Sequence, residues 1–144
     1  MTRVVVDANV AAKWCLPAQH EELVPQAENL LTSYRRGEIG FVVPDLFWAE
    51  LANVLWKAVR RGRISTDRAL SALSLVGDLG IPSVPSFDLL PQALLLAMSH
   101  GRTVYDSLYV ALAVQSKSEM ITADEHLANA LAAKLPVKWL GAWG

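Results

Sequence analysis

The feature that most constrains the fold is a set of short apolar runs that recur along the chain. Clear runs occupy 4–6, 41–43 and 120–122, and weaker ones occupy 83–85 and 137–140. The first run consists of three β-branched valines, which is typical of a strand buried on both faces. Longer stretches with helical spacing separate the runs. This alternation predicts an α/β fold with a mainly parallel sheet, because parallel strands need long connections that usually hold a helix.

The intervals between the predicted strands place apolar residues at helical spacing, and proline or glycine ends several of them. The predicted helices are 9–16, 20–36, 45–61, 65–79, 89–99, 103–117 and 124–134. No internal repeat, low-complexity segment or linker interrupts this order. A length of 144 residues suits one domain with a core of its own. We therefore predict a single domain over residues 1–144.

The overall charge argues against a protein that holds nucleic acid by bulk electrostatics. The formal net charge is -1 at pH 7, and the isoelectric point is near 6.3. Proteins that bind nucleic acid through their overall charge are more basic than this. Any nucleic-acid site must therefore be local, as a basic patch or as a place where metal ions supply the positive charge.

The sequence also predicts a soluble cytoplasmic protein without a membrane segment. Asp7, Asn9 and Lys13 interrupt the region in which a signal peptide would carry an unbroken apolar segment. The run LLPQALLLAMSHG falls short of the roughly 20 residues needed to cross a bilayer. Cys15 is the only cysteine, so no disulfide can form within the chain, which fits a reducing compartment.

Four acidic residues occupy positions from which they can reach one edge of a parallel sheet. Asp7 follows the first predicted strand, and Asp124 follows the strand that contains MIT. Glu50 lies on the helix after the second strand, and Asp106 lies early in a largely apolar helix. In open parallel sheets, ligands bind beyond the carboxyl ends of the strands, where the strand order switches. We expect these four acids to meet there.

Each acid also has a purely structural interpretation. Asp7 can cap the first helix. The stretches TADE at 122–125 and TVYD at 103–106 match capping boxes, and Glu50 can be a solvated helical charge. Together the four are harder to explain in this way, because Glu50 and Asp106 lie among large apolar residues, where an uncompensated carboxylate is costly. A divalent metal ion would offset their charge.

The ligand chemistry selects the metal and the reaction. Oxygen ligands without a cluster of Cys or His favour Mg²⁺ or Mn²⁺ over zinc, and the three histidines have no metal-motif spacing. Such an ion can activate water and stabilise charge on a phosphodiester oxygen. We therefore predict metal-dependent phosphodiester hydrolysis. Asn9 can hold Asp7 or a metal-bound water, and Thr122 can donate to a phosphate or to Asp124.

Four stretches resemble a known family in their order along the chain. They are VVVDANV, AELANVLW, TVYDSLYVALA and MITADEHL. In this order the chain resembles the PIN-domain family, and within it the VapC-like toxin ribonucleases of bacterial and archaeal toxin–antitoxin pairs. The resemblance covers essentially the whole chain.

The resemblance implies a single PIN-like domain over 1–144, folded as an α/β/α sandwich around a parallel sheet. It implies an endoribonuclease that depends on Mg²⁺ or Mn²⁺ and cleaves RNA as the toxin of a type II pair. An antitoxin partner and a homodimer follow from the same resemblance. The family's acidic metal positions fall on Asp7, Glu50, Asp106 and Asp124, its small polar position falls on Asn9, and its hydroxyl position falls on Thr122.

A basic cluster lies at the end of helix 45–61. It consists of Lys57, Arg60, Arg61 and Arg63. These cations can simply stabilise the partial negative charge at the carboxyl end of the helix and aid solubility. Alternatively, they guide RNA phosphates toward the acids.

The tryptophans also have two possible interpretations, as core residues or as surface residues that bind a partner. Trp48 and Trp56 are two helical turns apart and can share one face. Large aromatic residues usually contribute to the core. The alternative is the wall of a groove for an amphipathic partner segment, such as an antitoxin tail.

Two other functions fit parts of the pattern. A phosphatase with an aspartate nucleophile also places an aspartate after its first strand, but such enzymes commonly have a second acid two residues on, where this chain has Asn9. A signalling or binding module could use the acidic pocket to hold Mg²⁺ without nuclease activity. Glycine-rich nucleotide motifs are absent, and Ser107 has no histidine nearby in the sequence to activate it.

Overall fold

A computed structural model describes residues 2–143 as a five-stranded sheet with helices packed against it. The strands are β1 (Thr2–Val6), β2 (Ile39–Pro44), β3 (Ser83–Val84), β4 (Glu119–Thr122) and β5 (Val137–Trp139). The helices within these residues are α1 (Ala8–Cys15), α2 (Val24–Arg35), α3 (Leu46–Arg60), α4 (Thr66–Gly77), α5 (Ser86–His100), α6 (Val104–Gln115) and α7 (Glu125–Leu131). Two 3₁₀ turns cover Ala18–His20 and Leu140–Ala142.

All the strand pairs are parallel, and the strand order is β3-β2-β1-β4-β5. The chain therefore builds outward from β1 through β2 to β3, and then returns to add β4 and β5 on the other side. This reversal makes the gap between the carboxyl ends of β1 and β4 a topological switch point. In the register, Val5 lies opposite Val42 on one side and Met120 on the other.

The core forms on both faces of the central strands. On one face, the Phe41 ring stacks on Tyr34 of α2 and on Trp14 of α1, at 4.2 and 5.7 Å between ring centroids. Helix α6 packs against β1, β2 and β4 and also against α5, and its residues 107–113 are all buried. The predicted α/β/α sandwich with a parallel central sheet is confirmed.

The boundaries of several elements differ from the sequence-based prediction. The predicted helix 20–36 begins only at Val24, because Leu23 adopts a left-handed conformation with φ of 59° and Pro25 then occupies the first turn. The predicted helix 89–99 is longer and starts at Ser86, with Pro91 inside it. No helix among residues 2–143 has both the length and the apolarity needed to cross a membrane.

Candidate metal centre

Asp7 lies at the switch point, immediately after the buried residues of β1. Its side chain is 8% exposed. It caps α1, because Oδ1 accepts a hydrogen bond from the backbone N–H of Asn9 at 3.3 Å. Its other oxygen, Oδ2, accepts a hydrogen bond from the Thr122 hydroxyl at 2.9 Å. One carboxylate oxygen of Asp7 therefore accepts a hydrogen bond from α1, and the other accepts one from β4.

The Thr122 hydroxyl connects the ends of β1 and β4 and is fully satisfied. It donates to Asp7 and accepts from the Asn9 side-chain amide and from the Asp124 backbone N–H, both at 3.1 Å. A hydroxyl has one proton to donate and two lone pairs to accept with, so this set uses all of them. The Asn9 side chain also accepts from the Ala123 backbone N–H at 3.0 Å. Thr122 therefore donates to Asp7 and not, as the sequence had suggested, to Asp124, and within residues 2–143 the Asn9 side chain acts on Asp7 only through Thr122.

Glu50 reaches the same region from α3, where it is half-buried. Its Oε1 accepts a hydrogen bond from the Tyr109 hydroxyl at 2.5 Å. Tyr109 lies on α6, one turn after Asp106, and is 1% exposed. Tyr109 is a site residue that the sequence pattern did not reveal. One feature of the sequence could have indicated its role: a tyrosine on a buried helix needs a hydrogen-bond partner for its hydroxyl group.

Asp106 and Asp124 stand at the amino ends of two helices. Asp106 is in the first turn of α6, and its backbone N–H donates to the capping Thr103 hydroxyl at 3.0 Å. Asp124 caps α7, because its Oδ1 accepts from the Leu127 backbone N–H at 3.0 Å. Asp106 is partly buried, whereas Asp124 is exposed. The capping interpretations of Asp7 and Thr103 are therefore confirmed, whereas the predicted capping box over 122–125 is wrong, because α7 starts at Glu125 and its cap is Asp124 instead of Thr122.

Burial dominates the electrostatics of Asp7 and raises its pKa from 3.8 to about 7. The hydrogen bonds from Thr122 and Asn9 act in the opposite direction. The negative charges of Glu50 and Asp106 raise the pKa of Asp7 further. Burial therefore outweighs the local hydrogen bonds, and Asp7 is held in a site that disfavours its charge.

The same effects link the other acids. Burial raises the pKa of Glu50, the Tyr109 hydrogen bond opposes this, and the charge of Asp106 adds to the rise. Burial also raises the pKa of Asp106, with a further contribution from the charge of Asp124, while Arg102 opposes it. Each acid thus lies within electrostatic range of at least one other. The structure brings all four into one acidic cluster at the carboxyl edge of the sheet.

The donor chemistry of this cluster fits a hard cation, although the side chains do not form a closed coordination shell. Among residues 2–143, no three Asp, Glu, His or Cys side chains are arranged to hold one ion directly. Mg²⁺ usually keeps several of its waters and uses only one or two carboxylates. A buried carboxylate with a pKa near 7 and negative neighbours is also a site that gains from a cation. The residues therefore suit a hydrated Mg²⁺ or Mn²⁺, and the ligand set stays a prediction.

A basic groove of about 370 Å³ adjoins the acidic cluster. It reaches from Asn9 and Asp124 to the end of α3, and its cations are Lys13, Lys57, Arg61 and Arg63. Lys13 lies in this groove and pairs with Glu21 at 3.4 Å, a contact that connects α1 to the following loop and that the sequence did not indicate.

The remaining cation of the predicted basic cluster lies outside the groove. The Arg60 guanidinium stacks 4.8 Å from the centre of the Trp56 ring. Trp56 is 52% exposed and borders an apolar groove of about 250 Å³ between α3 and α4. Trp48 instead packs edge-on against Phe47 and donates to the Ser83 hydroxyl at 2.8 Å. The two tryptophans therefore have different environments: Trp48 is partly buried against the core, and Trp56 lines a surface groove.

The sequence of this chain matches the model of the PIN domain over residues 4–132. The chain belongs to the PIN-domain family. A curated relative named Ribonuclease VapC3, from Pyrobaculum aerophilum, is 36% identical to this PIN domain over 133 residues. The alignment covers 88% of this chain and 93% of the relative.

Solved structures share the fold of this PIN domain at lower sequence identity. A crystal structure from Pyrobaculum aerophilum has a TM-score of 0.67 at 23% identity and covers 97% of this chain and 85% of that chain. VapBC2 from Rickettsia felis, bound to promoter DNA, has a TM-score of 0.64 at 11% identity, with coverages of 96% and 98%. A toxin–antitoxin complex from Klebsiella pneumoniae has a TM-score of 0.59 at 16% identity, with coverages of 94% and 95%.

Proposed function

We propose that this PIN domain is an endoribonuclease that requires Mg²⁺ or Mn²⁺ and acts in the cytoplasm as the toxin of a type II toxin–antitoxin pair. One observation carries the proposal: Asp7, Glu50, Asp106 and Asp124 converge at the switch point of the sheet, and burial raises the pKa of Asp7 to about 7. The relative named Ribonuclease VapC3 supports RNA as the substrate. We treat residues 1–144 as one functional domain.

In this proposal one or two of the carboxylates Asp7, Glu50 and Asp106 would bind the cation directly, the remaining acid would bind it through metal-bound water, and Asp124 would contribute from the exposed rim of the cluster. A Mg²⁺ bound there would lower the pKa of its water and offset charge on the phosphate. Thr122 keeps one oxygen of Asp7 oriented through its 2.9 Å hydrogen bond. Asn9 holds Thr122 and the Ala123 backbone, so the junction of β1 and β4 stays rigid around the reacting phosphate.

We infer that the basic groove binds the RNA backbone beside the cleaved bond. Lys57, Arg61 and Arg63 line the groove that ends at Asp124, and Lys13 adds a fourth cation. Phosphates bound there bring the chain to the acidic cluster without the need for a basic protein overall. Arg60 lies over Trp56 and takes no part in this path.

The apolar groove between α3 and α4 suits an antitoxin segment. Leu55, Trp56 and Val59 line one side, and Leu70 and Leu73 line the other. Such a groove accepts the apolar face of an amphipathic helix. Two of the fold neighbours are toxin–antitoxin assemblies, which supports a partner of this kind. Replacing Leu70 by Asp should weaken capture of the antitoxin while RNA cleavage by the free toxin continues.

We infer that α5 provides the surface for a homodimer interface. This helix buries Leu89 and Ala93 but leaves five large apolar side chains exposed: Phe87, Leu90, Leu94, Leu95 and Met98. Together they present on the order of several hundred Å², comparable to the roughly 800 Å² that each partner loses in a standard interface. Replacing Leu94 by Asp should shift the protein to a monomer in light scattering, whereas the α4 substitution Leu70→Asp should leave the dimer intact.

The proposed reaction is tested with the purified full chain and a labelled RNA. Cleavage should require Mg²⁺ or Mn²⁺, stop with EDTA, and fall about 100-fold or more in Asp7→Asn, because an essential charge is lost. Asp88→Asn, at an exposed acid in the first turn of α5, is the matched control. A wild-type protein that cleaves RNA equally well in EDTA would contradict the proposal.

The two alternative functions have distinct outcomes in the same experiment. Metal binding without cleavage at any protein concentration would indicate a binding module. A phosphoenzyme trapped on Asp7 would indicate a phosphatase. No observation favours the phosphatase. Such enzymes commonly have a second acid two residues after the aspartate nucleophile, but the residue two positions after Asp7 is Asn9, whose amide side chain is hydrogen-bonded to Thr122 and Ala123.

A further inference from the structure

The Tyr109 hydroxyl lies where the elements that carry three of the acids meet. Tyr109 belongs to α6, one turn after Asp106. Its hydroxyl donates to Glu50 on α3 at 2.5 Å. The Ala8 backbone, next to Asp7, and the charge of Asp7 itself both act on this hydroxyl. The Tyr109 hydroxyl is therefore in contact with, or close to, the segments that place Asp7, Glu50 and Asp106.

Glu50 differs from the other three acids in how it is held. Asp7 and Asp124 cap helices, and Asp106 lies in the first turn of α6. Glu50 lies inside α3, beyond its first turn, and has no free backbone N–H groups to bind. Among the described residues, its side-chain hydrogen bond is to Tyr109.

Without that bond, little would keep the Glu50 carboxylate in the cluster. Glutamate's last torsion has a broad energy minimum, so its carboxylate turns readily. The charge of Asp106 repels Glu50, and Glu50 is only half-buried, so solvent is within reach of the side chain. The free side chain would therefore turn away from Asp106. The Tyr109 bond to Oε1 opposes this and leaves Oε2 available.

We infer that Tyr109 is a positioning residue that holds the Glu50 carboxylate in the acidic cluster, ready to bind the divalent cation. This inference rests on the proposed function for its metal step. Burial and the charges of Asp7 and Glu50 raise the pKa of Tyr109, so the hydroxyl keeps its proton and serves only as a donor. Tyr109 itself neither touches the RNA nor exchanges a proton with it.

The test measures Mn²⁺ affinity in the purified full chain without RNA, by electron paramagnetic resonance of free Mn²⁺. Tyr109→Phe removes only the hydroxyl and should weaken Mn²⁺ binding about 10-fold or more, as the loss of a group that orients a metal ligand typically does. Tyr105→Phe is the matched control, because Tyr105 is exposed on the same helix and makes the same chemical change. It should bind Mn²⁺ like the wild type.

A second pair of variants tests whether the effect passes through Glu50. In a Glu50→Ala background there is no carboxylate to position, so adding Tyr109→Phe should cause no further loss of Mn²⁺ affinity. A purely structural role would lower the melting temperature of Tyr109→Phe and leave its Mn²⁺ affinity unchanged, which would overturn the inference. An equal loss in the presence and absence of Glu50 would overturn it as well.

The failure of the proposed function would look different. If the wild type bound no Mn²⁺ at all, the metal role would fail for every acid in the cluster. The Tyr109–Glu50 coupling would then be decided by urea unfolding of the metal-free chain. Non-additive midpoints for Tyr109→Phe and Glu50→Ala support positioning, and additive midpoints refute it.

Discussion

Replacing Asp7 by Asn should stabilise the metal-free protein while it removes activity. Burial raises the pKa of Asp7 from 3.8 to about 7 in the folded state. Because one pKa unit corresponds to about 1.4 kcal/mol, the charged form of Asp7 costs the fold roughly 4 kcal/mol at pH 8. The amide of Asn carries no charge and avoids this cost. It can still cap α1, because asparagine is as good a capping residue as aspartate.

The sign of the pH dependence follows from proton binding. Between pH 4 and pH 7 the folded protein holds a proton on Asp7 that the unfolded chain has lost. The stability of the wild type therefore falls as pH rises through this window, and the deficit is complete above pH 7. The Asn side chain must turn an N–H toward one of the donors at Thr122 or Asn9, which costs about 1 kcal/mol. We expect Asp7→Asn to be more stable by roughly 2–3 kcal/mol at pH 8, from these two opposing contributions.

The assay is urea unfolding of both proteins in EDTA at pH 5 and pH 8. Taking the difference between variant and wild type at each pH removes the contribution of histidines, which both proteins share. The gain from Asp7→Asn should be large at pH 8 and small at pH 5. Adding Mg²⁺ should then stabilise the wild type alone, because a ligand stabilises only the fold that binds it. A gain of the same size at both pH values would refute the argument from buried charge.

Three further substitutions test other parts of the site. Asp106→Asn should leave the melting temperature near that of the wild type but reduce RNA cleavage about 100-fold or more, measured with a labelled RNA, since the cluster loses an essential charge. Thr122→Val should raise the pKa of Asp7 further, because the hydrogen bond that lowers it is lost, and calorimetry should show weaker Mg²⁺ binding. Replacing Arg61 and Arg63 by Gln should weaken RNA binding and flatten its salt dependence, whereas Arg60→Gln should not; unchanged binding in the double variant would discard the groove as the RNA path.

The sequence was sufficient to predict the sheet and the meeting of the acids, for a simple physical reason. Val4, Val5 and Val6 are apolar on both faces of a strand, which requires helices on both sides and so parallel neighbours. Parallel strands put all their carboxyl ends at one edge. Asp7 and Asp124 each follow such an end, so the sequence places both at that edge, and the strand order of the structure, with β4 beside β1, makes them neighbours.

The sequence was not sufficient for contacts between helices that are far apart in the chain. The bond from Tyr109 to Glu50 spans 59 positions, and its geometry depends on how α3 and α6 are oriented. The separation of Arg60 from Arg61 and Arg63 depends on the direction of each side chain at the end of α3. The late start of α2 follows from the left-handed conformation of Leu23, which is disfavoured for residues other than glycine.

The capping positions of the acids are compatible with the predicted metal site. Asp7 and Asp124 cap α1 and α7, and Asp106 lies in the first turn of α6. The partial positive charge and free N–H groups at these helix ends stabilise carboxylates before any cation arrives. Three helix ends thus let the metal-free fold tolerate an acidic cluster. Glu50 has no such helix end, and it is the acid that receives the Tyr109 hydroxyl instead.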